Sequence, residues 1–325
     1  MRTRMIASVL ALCLLAGISA GAAGAGEKIF RVGHITTTEY PFHKALLVMD
    51  EELGRRSNGT LRLRIYPNAQ LGDLTELIES VQMGNLDMAI SSTSFITNFC
   101  PTLNLFEMPF LFENYEQVDK VLESPVGDSF LAQVAEANLK GLGWFETGFR
   151  SMATRSRPVN GAEDMVGLRL RTQSSKIHQE LFRALGSDPA PMSLGDAFVA
   201  LQQGAIDGYE NAYSGMYDNK TYEVCKYGSV TNHVYTPAMF FMSLDRWNGL
   251  GEEEQRIFAE SALVAARVAR AELRKLEEVA VENLAKEGMI FNTVDLTDFR
   301  KKAMVVYDNH PELAEHVAKV RELIR

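Results

Sequence analysis

Thirty-six consecutive residues, Glu252 to Glu287, contain neither glycine nor proline. Apolar residues recur through them three or four apart: Ile257, Val264 and Val268, then Leu273, Leu276, Ala280 and Leu284, with Gly288 as a stop signal. An unbroken helix of that length, at ~1.5 Å per residue, runs roughly 54 Å, whereas a small domain is only ~30 Å across. One compact domain cannot bury it; a helix lying along two domains can. The apolar spacing drifts and does not hold a strict heptad, which argues against a coiled coil.

The N-terminus reads as an export leader. Arg2 and Arg4 form a positive flank, Ile6 to Ile18 an apolar run, and Ala23-Gly24-Ala25 an A-x-A cleavage site. The run is shorter than the ~20 residues a membrane span needs. Cys13 lies inside it, where a lipid-attachment cysteine would not. Residues 1–25 are therefore expected to be a signal peptide cleaved near Ala25, and the mature chain to be periplasmic. About 300 residues remain, long for one core and comfortable for two.

The formal net charge is −9, and the leader would remove two arginines more. Nucleic acid as a partner is excluded, since it wants a basic face. An anionic ligand would have to be held by local arginines against the overall field. After cleavage Cys100 and Cys225 are left, and no C-x-x-C occurs, so zinc or dithiol chemistry has no support. Two buried free thiols are the expectation and a disulfide the alternative. No metal site and no cofactor are expected.

Strands and helices alternate along the chain. Ile29 to His34, Leu61 to Tyr66 and Leu86 to Ser91 read as strands, with helices at Pro41 to Arg56 and Asp73 to Met83 between them. The alternation resumes after Gly141, with strands at Leu142 to Glu146 and Leu168 to Thr172 and helices at Gln173 to Leu185 and Ser193 to Gln203. Ser193 and Asp196 form a helix-start signal, so Asp196 is a cap rather than a catalytic acid. The pattern is α/β, a sheet with helices on its faces.

Two short segments carry the candidate chemistry. Gly167-Leu168-Arg169-Leu170-Arg171-Thr172-Gln173 and Ala205-Ile206-Asp207-Gly208-Tyr209-Glu210-Asn211 each read as an apolar strand ending in polar groups. Arg171 offers a planar fork of donors that matches a carboxylate edge. Asn211 offers a donor and an acceptor. Beyond the leader, where Gly17-Ile18-Ser19-Ala20-Gly21 belongs to the apolar run and its small-residue tail, no G-x-S-x-G, H-E-x-x-H or phosphate-cradling glycine loop is present, so an enzyme is not expected.

Further segments stand in the order of a known family: Tyr66-Pro67-Asn68-Ala69-Gln70-Leu71-Gly72, Met83-Gly84-Asn85-Leu86-Asp87-Met88, Met108-Pro109-Phe110-Leu111-Phe112, Gly148-Phe149-Arg150, Ala200-Leu201-Gln202-Gln203-Gly204 and Asp207-Gly208-Tyr209-Glu210-Asn211. With them, the chain resembles the DctP-like solute-binding proteins of tripartite ATP-independent periplasmic (TRAP) transporters, from about residue 28 to residue 290. The resemblance implies a two-domain, periplasmic-binding-protein-like (type II-like) fold with a cleft between the domains and a long helix spanning both. It implies domain I at 26–147 plus 236–273, and domain II at 148–235 plus 274–325. It implies a receptor for a small organic acid, docking on an ion-gradient-driven membrane permease; a monomer is the plain default for a receptor that must close and dock. A receptor feeding a membrane sensor and, less favoured, an exported enzyme are the alternatives.

The family's carboxylate-gripping arginine falls on Arg171, its companion on Arg150 and its clamp asparagine on Asn211. The first domain would add His34, Asp73, Ser91 and Ser92 from its strand ends. Tyr209 stands where the family usually has glutamine, and Ala212 where it has proline. If Tyr209 and Tyr213 face the cleft, they would suit an aromatic ring. Ser91 and Ser92 bring hydroxyls rather than a second cation, which leans toward a sugar acid or other hydroxy acid and away from a dicarboxylate. His233 is expected to support the fold, and His310 and His316 to be solvated.

Overall fold

The computed structural model describes residues 26–325, so the leader and the cleavage site near Ala25 lie outside the described residues. The first lobe opens with β1 (Lys28–Gly33), α1 (Pro41–Arg56), β2 (Leu61–Tyr66), α2 (Leu74–Gln82) and β3 (Met88–Ser92), all three strands parallel. Three short helices follow: α3 (Thr93–Ile96), α4 (Tyr115–Leu122) and α5 (Pro125–Gln133). The long strand β4 (Leu139–Thr154) leads into a second parallel set: β5 (Arg169–Thr172), α6 (Lys176–Ala184), β6 (Asp188–Pro191), α7 (Leu194–Gln203), β7 (Gly208–Asn211) and α8 (Tyr213–Asp218). A second long strand, β8 (Tyr227–Ser243), returns to the first lobe. The chain ends with α9 (Leu244–Asn248), α10 (Glu252–Lys286), β9 (Ile290–Thr293), α11 (Thr297–Asn309) and α12 (Ala314–Leu323).

Both lobes share β4 and β8. These two strands pair antiparallel from Leu139↔Ser243 to Thr154↔Tyr227. At one end β8 carries β3, in the register Met88↔Met242 to Ser92↔Ala238. At the other end β4 carries β7, in the register Ser151↔Asn211 to Thr154↔Gly208. One sheet therefore runs β2-β1-β3-β8-β4-β7-β5-β6, with β9 branching from β8. Register shifts interrupt β4 between Glu146 and Gly148 and between Arg150 and Met152. Such bulges bend a strand and increase its twist. Gly148, at the shift after Glu146, has φ +96° and pairs with Thr236, where the domain boundaries were expected. A side chain there would be strained and would meet the Tyr115 hydroxyl at 3.3 Å.

The helix α10 runs along both lobes. Its first half buries Ile257, Phe258, Ala265 and Leu273 in a core with Phe30, Leu46 and Phe240. Its second half buries Ala280 and Leu284 with Tyr209, Tyr213 and Met216. Between the two cores, Arg274 binds buried Glu146 (Nε to Oε1, 2.7 Å) and Asp119 (Nη1 to Oδ2, 2.9 Å), and the Tyr235 hydroxyl donates to Glu146 Oε2 at 2.6 Å. These partners satisfy a carboxylate that burial would otherwise penalise. Another core joins Leu77, Phe95 and Phe106 to Leu170, Ile177 and Phe182, and is closed by Phe299, Val306 and Val320. The C-terminal segment thus touches both lobes, α11 packing on α6 and α12 on α4. Cys100 and Cys225 are both buried and free.

Candidate ligand-binding site

Parallel strands β5 and β7 pair at Arg171↔Tyr209 and end side by side, so Arg171 and Asn211 arrive at the same rim. Together with the ends of β3 and α2 they enclose a cavity of about 80 Å³ between the lobes. Its walls include Asp73, Ser91, Ser92, Arg150, Arg171 and Asn211. Six of the eight residues expected at the site are therefore brought together.

Arg171 is 3 % exposed, and its Nε donates to the Met192 carbonyl at 3.0 Å. Among the described residues its guanidinium makes no other hydrogen bond and no ion pair, so both amino groups are left to the cavity. Burial draws its pKa down to about 10, with Glu210 opposing that fall and Arg150 adding to it. It stays charged at neutral pH, and a buried cation without a counter-ion favours an incoming anion.

Arg150 is 1 % exposed and differently placed. Its Nε pairs with Glu210 Oε2, while Nη2 donates to Glu210 Oε1 at 3.0 Å and to the Glu210 carbonyl at 2.8 Å. Its Nη1 donates to Asn211 Oδ1 at 3.0 Å. Four of five N–H donors are thus committed, leaving one. Burial alone would raise the Glu210 carboxyl; Arg150 and His233 reverse that and hold it well below the usual carboxylate range. His233 lies 3.7 Å from Glu210 Oε2 and is itself buried, in the supporting place expected for it.

The Asn211 amide is oriented by its surroundings. Its Oδ1 accepts from Arg150 and from the Ala212 N–H at 3.0 Å, which leaves Nδ2 as a donor toward the cavity. Gly215 leaves the amide room, since a Cβ there would lie 2.8 Å from Asn211 Nδ2 and push it aside. Donors therefore gather on this wall: the Arg171 fork, the Asn211 amide and the remaining N–H of Arg150.

The facing elements bring hydroxyls and acceptors. Ser91 Oγ donates to the Ser92 carbonyl at 3.2 Å and keeps its lone pairs. Asp73 caps α2, its Oδ1 accepting from Thr75 N at 2.9 Å and Glu76 N at 3.1 Å, in a reciprocal capping box with Glu76. Oδ2 of Asp73 has no hydrogen-bond partner among the described residues. On the donors' own side, Asn219 at the end of α8 donates Nδ2 to the Gly215 carbonyl at 2.6 Å and keeps its Oδ1.

Three contacts tie the lobes across the cavity. Gln173 Nε2 donates to Ser92 Oγ at 3.0 Å, and Ser94 Oγ donates to Gln173 Oε1 at 2.8 Å. Thr37 donates to the Asp218 carboxylate from both its hydroxyl and its N–H. The Tyr40 hydroxyl lies 3.4 Å from Ser214 Oγ. The lobes are closed.

Two expected site residues lie elsewhere. His34 is not in the cavity wall: its ring nitrogens are taken up by His43 Nδ1 at 3.1 Å and Thr36 Oγ1 at 2.9 Å, and burial lowers it to about 3. It is a neutral support for Thr36, which does line the cavity. Tyr209 lies mid-strand, in the core under α10, with its hydroxyl on Thr221. Tyr213 packs edge-on against Phe291. The aromatic platform therefore has no place in the wall. His310 is also not simply solvated, since its ring nitrogens meet Glu180 at 3.0 Å and Glu312 at 2.9 Å. Sequence reasoning passed over Gln173, Thr147, Asp218 and Asn219 as wall residues. Gln173 alone carried a signal: it closes the polar end of the segment that holds Arg171, one residue past β5. Among the described residues, no group of His, Cys, Asp or Glu is placed to hold a metal ion.

Known proteins fit this geometry. The profile of the DctP family, described as bacterial extracellular solute-binding protein, family 7, matches residues 32–312. A TRAP periplasmic solute-binding protein from Polaromonas, solved with bound D-erythronate, is 32% identical with TM-score 0.88, covering 90% of this chain and 98% of its own. Another from Bordetella, with density interpreted as pantoate, is 32% identical with TM-score 0.89, covering 91% of this chain and 99% of its own. The C4-dicarboxylate-binding periplasmic protein DctP of Rhodobacter capsulatus is 28% identical over 298 residues, 89% of this chain and 87% of its own. These neighbours are solute-binding receptors, not enzymes, and they share the two-domain periplasmic-binding-protein-like fold. Closed lobes, an unpaired arginine fork and a profile match across nearly the whole described chain lead to one assignment: the protein belongs to the DctP family of TRAP solute-binding proteins.

Proposed function

We propose that this chain is the periplasmic receptor of a TRAP transporter, binding a small hydroxy monocarboxylate such as a sugar acid and handing it to an ion-gradient-driven permease. One observation carries the reading: the Arg171 guanidinium is buried without a counter-ion and opens onto a closed cavity. The ligand carboxylate takes the Arg171 fork, with Asn211 Nδ2 and the remaining Arg150 N–H beside it. Ser91, Ser92, Asp73 and Asn219 receive the ligand's hydroxyls. Each charge-assisted hydrogen bond contributes roughly 1.5–3 kcal/mol, and micromolar affinity needs about −8 kcal/mol. Two or three such bonds in a water-excluding cleft are enough.

The lobes divide at the Gly148–Thr236 pair, and opening bends β4 and β8 there. The ligand stabilises the closed form by adding to the contacts of Gln173 and Asp218 that already bridge it. Titration calorimetry with sugar acids tests the clamp. Wild type is expected to bind with micromolar affinity and Arg171→Lys not to bind, because a point charge cannot reproduce the fork. Unchanged affinity in Arg171→Lys would sink the assignment.

A further inference from the structure

The cavity wall carries two cations and two carboxylates: Arg150, Arg171, Asp73 and Asp218. Arg150 is neutralised inside the protein by Glu210. One ligand carboxylate satisfies Arg171, and no positive charge is then left over. No other Lys, Arg or His lines the cavity among the described residues. We infer that Asp73 and Asp218 form an acidic filter that rejects a second carboxylate, so that the receptor discriminates a hydroxy monoacid from the dicarboxylate of the same carbon skeleton.

This inference rests on the Arg171 clamp and adds the selectivity of the same site. Both carboxylates are fixed. Asp73 is held by the capping box, at a helix N-terminus where negative charge is favoured. Asp218 is held by Thr37 from the other lobe. Both line the same cavity of about 80 Å³ as the Arg171 fork, so the part of a ligand that lies beyond the fork shares that enclosure with them. Like charges brought together inside one cleft repel. A hydroxyl in the same place instead donates to Asp73 Oδ2 or Asn219 Oδ1. The wall thus favours a neutral donor over an anion at the far end of the ligand.

Matched pairs test this: D-erythronate with meso-tartrate, and galactonate with galactarate. Within each pair a terminal hydroxymethyl group becomes a carboxylate and the rest of the skeleton is kept. Wild type is expected to bind at least one monoacid and to bind its dicarboxylate roughly 100-fold more weakly, by calorimetry. In Asp73→Asn/Asp218→Asn that ratio falls at least about tenfold, mainly through tighter dicarboxylate binding. Asparagine keeps the cap acceptor at 73 and one of the two acceptors for Thr37 at 218, and Asp73→Asn alone gives a smaller shift in the same direction if the double variant does not fold. Equal affinity within a pair in wild type, or a ratio unmoved in the variants, overturns the filter. If a monoacid binds and Arg171→Lys abolishes it while the ratio stays put, the filter falls and the clamp stands. If neither monoacid binds wild type, both fall.

Discussion

The two arginines at the cavity are equally buried and opposite in circumstance. Arg150, on the bent part of β4, spends its donors on Glu210 and Asn211. Arg171, at the end of β5, has one backbone carbonyl and an empty fork. The first is a cation the fold requires; the second is a cation the fold tolerates. The difference lies in compensation, not in residue type or depth.

The largest expected effect is on the compensated side. Arg150→Met leaves Glu210 buried without its cation and is expected to cost about 3–5 kcal/mol in urea unfolding. A loss under about 1 kcal/mol would show that the pair is not the brace described.

Glu277 sharpens the contrast with the opposite sign of charge. It sits on α10 beside Gly148, accepts the Ser214 N–H at 2.8 Å, and among the described residues has no cation of its own, since nearby Arg274 is committed to Glu146 and Asp119. Burial raises its carboxyl from 4.5 to about 7, against the opposing Ser214 hydrogen bonds. The folded protein therefore holds a proton there that the unfolded chain releases at lower pH. This contribution to stability is complete below about pH 4.5 and is lost as pH rises through about 7. From pH 5 to 8, wild type is expected to lose on the order of 3 kcal/mol relative to Glu277→Gln in denaturant titrations. Parallel curves for the two proteins would remove the carboxyl from this role.

On the uncompensated side, Arg171→Met is expected to leave the unliganded protein within about 1 kcal/mol of wild type, because no protein charge is orphaned. What disappears is the ligand-induced gain, about 2.7 kcal/mol for wild type at 100 times Kd, read by thermal shift. A variant as unstable as Arg150→Met would erase the distinction. Smallest is Gly215→Ala, whose methyl displaces the Asn211 amide; affinity should drop about tenfold, near 1.4 kcal/mol, by calorimetry.

The contrast between the arginines was not legible in the sequence. Both stood out as candidates, but the partner that separates them, Glu210, is 60 residues from Arg150. Elements governed by local signals were readable: α10 ends one residue before its expected limit, α1 fills its expected span, and Ser193 accepts from Asp196 N as a cap. β8 escaped because it is buried on both faces, so its residues do not alternate, and Pro237 interrupts its interior. The edge strand β6 is short and carries Pro189 and Pro191. His34 and Tyr209 were misplaced for a related reason. Strand-end position says which residues are near a cleft, but packing decides whether a side chain turns to it or into the lobe.

Three continuous spans, β4, β8 and α10, cross from one lobe to the other. Parts bound together by three backbones cannot slide or twist freely; they can only fold like the covers of a book about its spine. Entry and exit of the solute then share one mechanical barrier. A substitution that stiffens that spine raises the barrier to entry and to exit together.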